Sequence, residues 1–315
     1  MSLKILLPTS IPLDPSLPEG VTAVQYSPDE PIPGHATDAD ILVTWGNPTD
    51  QLADAAKRLT AVRWVQSLAA GPDQVVAAGF APDVVITSGR SLHDRPVAEH
   101  TLALVLAAAR RLHRLTRAQI GRRWAGEFGG VQPITTAGEF RTLRDAEVLI
   151  WGFGSIAGEL APLLTALGAR VTGVARTAGT REGYPVITEE ELPAALPAAD
   201  LLIMILPATS DTRHALDARL LALLPPHAWL VNVGRGATVD ADALVSAIRS
   251  GRLAGAALDV FETEPLPADS PLWDEPDVII SPHAAGGRPL GADELIAENV
   301  RAFLAGTPMR NVVSR

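Results

Sequence analysis

Three short motifs in the second half of the chain place chemistry-bearing side chains where a predicted strand ends. Arg235 stands alone between two glycines in Leu230-Val-Asn232-Val-Gly234-Arg235-Gly236. A guanidinium held there can make paired, charge-assisted hydrogen bonds to a carboxylate and the neighbouring carbonyl oxygen, as a 2-oxo acid presents them. The alternative is an ordinary surface turn arginine. Ala257-Leu-Asp259-Val-Phe-Glu262-Thr-Glu264-Pro265-Leu-Pro267 again runs from a strand end into acids and prolines. Ile279-Ile-Ser-Pro282-His283-Ala-Ala-Gly-Gly287 puts a histidine directly after a strand, at a proline turn and ahead of small residues that let a ligand approach. Lone histidines are usually structural, and the other six (His35, His93, His100, His113, His214, His227) have no such context. A carboxylate such as Glu264 beside His283 would orient the imidazole and favour its protonated form. That arrangement suits a general acid protonating a developing alkoxide.

A fourth motif supplies the partner for such a reaction. Val148-Leu-Ile-Trp-Gly152-Phe153-Gly154-Ser155-Ile156-Ala157-Gly158 reads as a buried strand, a glycine-rich turn and a helix. The first glycine permits the tight turn and the second lets backbone approach a pyrophosphate. Ala157 fills the third position, where only a small residue allows close helix–strand packing. Helix N-terminal amides then face the anion. Glycine turns are common, so the motif needs its context: Ile156, Leu160, Leu163, Leu164 and Leu167 follow helical spacing, Gly168 stops the helix, and residues 170–174 read as the next strand. Pro162 lies inside that helix and predicts a kink.

The residue ending the second strand selects the dinucleotide, because an acid there would hydrogen-bond the ribose 2′-hydroxyl of NAD. Ala175 occupies the position, followed by Arg176 and Thr177. A guanidinium and a hydroxyl can receive a 2′-phosphate, so NADP(H) is expected over NAD(H). The alternative for Arg176 is a solvated loop arginine.

The elements needed to position these motifs are legible along the chain. Short apolar strands at 4–7, 21–26, 41–45, 64–67 and 84–87 alternate with helical stretches such as 53–59, which is the pattern of a small α/β domain. A long apolar helix is predicted over 97–112, after Pro96. A Gly- and Thr-rich loop covers 121–139. Beyond it a larger α/β unit runs over about 146–282, with later strands at 201–205, 229–231, 254–258 and 278–280, implying a mostly parallel sheet. The tail, a helix over 289–304 and the Asn311-Val-Val segment, is too small to stand alone and should return to the first domain. The expected division is residues 1–95 plus 288–315 against 96–287.

Composition narrows the class further. The chain has 315 residues, a net charge of −10 and no cysteine, which predicts about two domains and excludes disulfides, zinc–thiolate sites and thiol catalysis. The acidic balance argues against a nucleic-acid or membrane face and leaves an anionic substrate to local arginines. No apolar run approaches a membrane span and no signal segment is evident, so a cytoplasmic protein is expected, with no metal.

In this order, the motifs resemble the D-isomer-specific 2-hydroxyacid dehydrogenase family over essentially the whole chain. The resemblance implies two doubly wound domains: a Rossmann nucleotide-binding domain and a smaller flavodoxin-like substrate domain. It carries the catalytic set onto Arg235, Glu264 and His283. It places Asp259 beside the nicotinamide, Asn232-Val233-Gly234 along the cofactor, and Leu206-Pro207-Ala-Thr209 past its adenosine half. Ser67-Leu-Ala69-Ala70-Gly71-Pro-Asp73 resembles the loop whose amides hold the substrate carboxylate, with Arg235 and His283 also touching substrate. Arg95-Pro-Val97-Ala-Glu99-His100 resembles the start of the interdomain helix, and a homodimer built around the nucleotide domain and the 121–139 loop is implied.

Departures from the family pattern sharpen this. Ala157 replaces a glycine, and Ala175 replaces the usual Asp. That change, Trp273 in Pro271-Leu-Trp-Asp and the short chain resemble the NADPH-dependent glyoxylate/hydroxypyruvate reductase branch more than the phosphoglycerate branch. Glu264 argues against formate dehydrogenase. The expected reaction is reduction of a small 2-oxo acid to its D-2-hydroxy acid, with domain closure excluding water. Two alternatives stand beside it. One is an NAD-linked 3-phosphoglycerate-type dehydrogenase, for which Arg90, Arg95 and Arg288 are candidate phosphate ligands; the other is a non-catalytic dinucleotide-sensing regulator.

Overall fold

Strands that are apolar at almost every position suit a parallel sheet covered on both faces, and the chain builds two of them. The computed structural model describes residues 3–131 and 138–314. The chain divides into two compact units, Met1–His93 with Arg288–Arg315, and Asp94–Gly287.

In the first unit, β1 (Leu3–Pro8), β2 (Val21–Tyr26), β3 (Ile41–Thr44), β4 (Trp64–Ser67) and β5 (Val85–Thr87) form one parallel sheet in the order β2-β1-β3-β4-β5. That is the flavodoxin-like doubly wound order. Alternate side chains feed two cores. Leu6, Leu42, Val65 and Ile86 join Leu52 and Ala55 of α1 (Thr49–Arg58) and Val75 of α2 (Asp73–Ala77). Ile5, Ile41, Val43 and Trp64 face Leu295, Ile296 and Val300 of α9 (Ala292–Ala305), the C-terminal helix. Val313 then donates its N–H to the Ile86 carbonyl at 2.9 Å, fastening the Asn311-Val-Val segment to β5.

The second unit opens with α3 (Asp94–Ala109). The helix, and with it the unit, begins before the expected position because Pro96 fits a first turn, where its missing N–H costs nothing. It also ends earlier: Arg111 takes a left-handed φ of 56°, and α4 (Leu112–Ile120) starts afresh. The residues 132–137 of the predicted 121–139 loop lie outside the described residues.

Eight strands follow, in the order β13-β12-β11-β10-β6-β7-β9-β8. They are β6 (Glu147–Trp151), β7 (Arg170–Ala175), β8 (Gly179–Arg181), β9 (Tyr184–Thr188), β10 (Leu201–Met204), β11 (Trp229–Asn232), β12 (Gly255–Leu258) and β13 (Val278–Ile280). From β9 through β12 this is the Rossmann order, extended by β13. All pairs are parallel except β8 with β9. That hairpin was not anticipated. Its two turn residues, Glu182 and Gly183, have φ of 50° and 84°, the backbone of a type I′ turn, whose twist matches that of paired strands.

Connecting helices are α5 (Ser155–Ala166), α6 (Leu192–Ala195), α7 (Ala218–Leu221) and α8 (Ala241–Arg249). Helix α5 continues through Pro162. Its Leu160, Ala161 and Leu164 share one core with Val97, Leu104, Val105 and Ala108 of α3. Among the described residues no helix is long and apolar enough to cross a membrane.

Candidate active site

The carboxyl ends of β6, β7, β10, β11, β12 and β13 carry nearly all the chemistry-bearing residues of the second unit. Strand order reverses between β6 and β10, and in doubly wound sheets that is where ligands bind. At the end of β6, Gly152 takes φ of 99°, and a Cβ there would lie 2.7 Å from the Ile205 carbonyl oxygen. Only glycine satisfies both constraints. Gly154, by contrast, faces open space. A phosphate can therefore reach the backbone where Ser155 and Ile156 begin α5, whose first-turn amides lack intrahelical acceptors. Phe153 is a core residue: its ring covers Gly173, where a Cβ would lie 2.4 Å from it. Leu206 and Val233 are likewise buried, so these three offer a ligand only their backbone.

At the end of β7, Ala175 is followed by exposed Arg176 and Thr177. Arg176 has no hydrogen-bond or ion-pair partner among the described residues. Thr177 is held by Arg181, which the sequence reasoning missed. Arg181 Nη2 donates to Thr177 Oγ1 at 2.7 Å and to its carbonyl at 3.0 Å, and Nη1 donates to the Phe153 carbonyl at 3.0 Å. Beyond β10, Thr209 and Pro207 are bound into a compact turn through Thr212, whose hydroxyl donates to the Pro207 carbonyl at 2.6 Å.

The Arg235 turn is braced from within. Asn232, buried at the end of β11, accepts from Gly234 N and donates to the Arg235 carbonyl, both at 3.1 Å. Arg235 Nη1 donates to the Gly234 carbonyl at 2.7 Å. A Cβ on Gly234 would sit 2.6 Å from the Leu206 backbone, and one on Gly236 would strike Phe261.

His283 and Glu264 form the closest pair of candidate catalytic groups. Glu264 Oε2 accepts from His283 Nδ1 at 2.7 Å, while Oε1 accepts from Phe261 N at 2.9 Å. The carboxylate thereby fixes one face of the imidazole and leaves Nε2 for a ligand. His283 has φ of 53°, a left-handed conformation that costs a non-glycine residue about 1–2 kcal/mol. Asp259 compensates. Fully buried, it accepts from Ser281 Oγ (2.5 Å) and Ala284 N (2.9 Å) at Oδ1, and from Ala285 N (3.0 Å) at Oδ2. Its carbonyl takes the His283 N–H at 2.8 Å. Its carboxylate is thus committed to the loop bearing His283. His100 of α3 completes the group, with Nε2 3.0 Å from Ser281 Oγ and 3.3 Å from Asp259 Oδ1. No periodicity singled out His100 or Ser281; only the fold brings them here.

In the first unit, the loop after β4 is shaped by Gly89, where a Cβ would lie 2.0 Å from the Leu68 carbonyl oxygen. Ala69 N is taken by Ser67 Oγ at 3.2 Å, which leaves Ala70 and Gly71 amides without a protein acceptor among the described residues. A cavity of about 350 Å³ adjoins this loop, lined by Trp45, Ser67, Ala69, Gly71 and Gln74 among others. Trp45 stacks on His93 at 5.3 Å, and His93 Nε2 is 2.8 Å from the Leu68 carbonyl. Of the candidate phosphate ligands, Arg95 is engaged by Glu99 at 2.8 Å and Glu159 at 3.7 Å.

Comparison with known proteins finds both a family profile and solved structures similar to this chain. Residues 102–285 match the family profile described as D-isomer specific 2-hydroxyacid dehydrogenase, NAD binding domain. A glyoxylate reductase of Aeropyrum pernix is 35% identical, the match covering 92% of this chain and 88% of that protein. A D-isomer specific 2-hydroxyacid dehydrogenase of Xanthobacter autotrophicus, solved with NADPH and MES, superposes with a TM-score of 0.80 at 32% identity, covering 99% of this chain and 98% of the other. An NADPH-dependent glyoxylate/hydroxypyruvate reductase of Sinorhizobium meliloti, solved with NADP and sulfate, gives 0.79 at 27% identity, covering 100% and 98%.

Proposed function

The chain belongs to the D-isomer specific 2-hydroxyacid dehydrogenases, and on that premise we propose that it reduces a small 2-oxo acid of the glyoxylate or hydroxypyruvate type to the D-2-hydroxy acid with NADPH. The observation that carries the reading is the His283–Glu264 pair at 2.7 Å, an imidazole held by one nitrogen with the other free. Relatives named glyoxylate reductase support the substrate class. Structures solved with NADPH or NADP, together with exposed Arg176 after Ala175, support the cofactor.

The residues present fit a dinucleotide: open space at Gly154, a helix start behind it, and an unpaired guanidinium where a 2′-phosphate would lie. A dinucleotide held there would supply the hydride for reducing the substrate's carbonyl carbon. Arg235 binds the substrate's carboxylate and carbonyl oxygen, drawing electron density toward that oxygen as it gains charge. His283 gives its Nε2 proton to the same oxygen, and Glu264 holds the ring in line and balances the imidazolium. In the first unit the Ala70 and Gly71 amides are open to a carboxylate, whereas Ala69, expected to share that role, has its N–H taken by Ser67 Oγ and its carbonyl by Gly89 N. Backbone at Gly152, Phe153, Gly154, Ser155, Ile156, Leu206, Val233 and Gly234 accommodates the cofactor.

A homodimer forms part of the proposal. Ile120, Trp124 and Val131 are 77%, 95% and 103% exposed around the 121–131 stretch, which a second copy would cover. Mass measurement in solution tests it; a monomer at micromolar concentration would remove it.

The catalytic reading is tested by following NADPH and NADH oxidation with glyoxylate, hydroxypyruvate, pyruvate and bulkier 2-oxo acids. Turnover of the small acids with NADPH preferred is expected. Cofactor binding without turnover across the panel would instead support a sensor, and an NADH preference in the wild-type enzyme, or an NADPH preference retained in Arg176→Ala, would remove the 2′-phosphate assignment.

A further inference from the structure

Arg181 is bonded to two loops at the adenosine end of the cofactor region and to nothing acidic. Its guanidinium spans from the Phe153 carbonyl in the glycine-rich turn to Thr177 after β7. No carboxylate lies within ion-pair distance of it among the described residues. The adjacent Glu182 turns elsewhere, its Cγ 3.4 Å from where a Gly158 Cβ would stand over α5. The β8–β9 hairpin delivers Arg181 there: as the last residue of β8 it pairs with Tyr184. The Tyr184 ring lies 6.0 Å from that of Phe153, holding the hairpin against the glycine turn.

Two consequences follow from donor and acceptor counting. Thr177 Oγ1 already accepts from Arg181, so its own O–H is free to donate to an incoming acceptor. The charge of Arg181 is also uncancelled, beside the equally uncancelled Arg176. We propose that Arg181 is the positioning residue for 2′-phosphate recognition, bracing Thr177 so that its hydroxyl, with Arg176, meets the phosphate. This rests on the NADP(H) reading above.

Calorimetric titration with adenosine 2′,5′-bisphosphate and with 5′-AMP, which differ only in the 2′-phosphate, isolates that subsite without any turnover. Wild-type protein is expected to prefer the bisphosphate. Arg181→Met should weaken the bisphosphate roughly tenfold or more while leaving 5′-AMP nearly unchanged, the scale of a lost charge-assisted contact. Arg181→Lys keeps a charge but cannot span both loops, so it should fall between; it also serves if the methionine variant fails to fold. Equal losses for both ligands, or no loss for either, would overturn the role of Arg181 while leaving the cofactor reading intact. A wild-type protein without preference for the bisphosphate would overturn both.

Discussion

Gly236 and Phe261 approach so closely that a Cβ on Gly236 would lie 1.9 Å from the Phe261 carbonyl carbon. The turn carrying Arg235 therefore rests on the backbone that leads to Glu264, and Phe261 N donates to Glu264 itself. Arginine and carboxylate are positioned through one contact between main chains.

Gly236→Ala should consequently separate the two. Backbone cannot yield by more than an ångström without moving Arg235 or Glu264, so turnover should fall by roughly tenfold or more, since misplacement of this size can cost ~10²-fold. Steady-state kinetics and thermal unfolding of the variant check this. Unchanged kcat would show that the two segments move independently.

Replacing His283 by alanine should lower kcat by ~10²-fold or more, the scale of lost general-acid catalysis, with cofactor affinity retained. Glu264→Gln keeps a hydrogen-bonding partner but no charge, and its loss should be smaller. Near wild-type turnover of the alanine variant would mean that another group supplies the proton.

Asp259→Asn keeps the shape of the side chain but turns one acceptor into a donor facing the Ala285 or Ala284 amide. An unmet buried donor costs about 1–3 kcal/mol. Because those amides follow His283 directly, the expected result is lower kcat with cofactor affinity unchanged, measured by turnover and by fluorescence titration of NADPH. Weakened NADPH binding at unchanged kcat would assign Asp259 to the nicotinamide instead.

Asp277 predicts an acid-labile contribution to stability. Burial alone would push its carboxyl up, but His113 at 3.6 Å and the Arg114 guanidinium outweigh that, holding it at about 2 against an ordinary 3.8. A carboxyl depressed in the folded state stabilises above its unfolded value and loses that stabilisation as pH falls. The contribution, about 2 kcal/mol, should thus be present above pH 4 and fade toward pH 2. Urea unfolding of Asp277→Asn at neutral pH and near pH 2 checks it: the two proteins should differ at the first and converge at the second.

Strands were the most legible part of the sequence. The strands Val21–Tyr26, Trp64–Ser67 and Val278–Ile280 fall where short runs rich in β-branched and aromatic residues place them. The reading was weaker where backbone conformation outweighs side-chain pattern. Helix α3 stops at Ala109 because Arg111 turns left-handed, which no neighbouring residue announces. The β8–β9 hairpin escaped because Glu182-Gly183 is not an obvious turn pair and Gly179-Thr-Arg181 has no apolar residue to mark a strand, so Arg181 escaped with it. Arg235, Glu264 and His283 stood out as candidates because their motifs run on from the ends of β11, β12 and β13 and match those of the family. Among their supports, Asn232 bonds locally to Gly234 and Arg235, whereas His100 and Ser281 meet across 181 residues, a contact no local pattern announces.

The return of α9 to the first unit sets an order of events during synthesis. Sheet β1–β5 emerges first, yet Ile5, Ile41 and Trp64 wait for Leu295, Ile296 and Val300, which emerge some two hundred residues later. The continuous second unit has its whole core in hand before then. A ribosome-bound chain halted before α9 should therefore hold a protease-resistant dinucleotide-binding unit behind an N-terminal segment that is still readily cut.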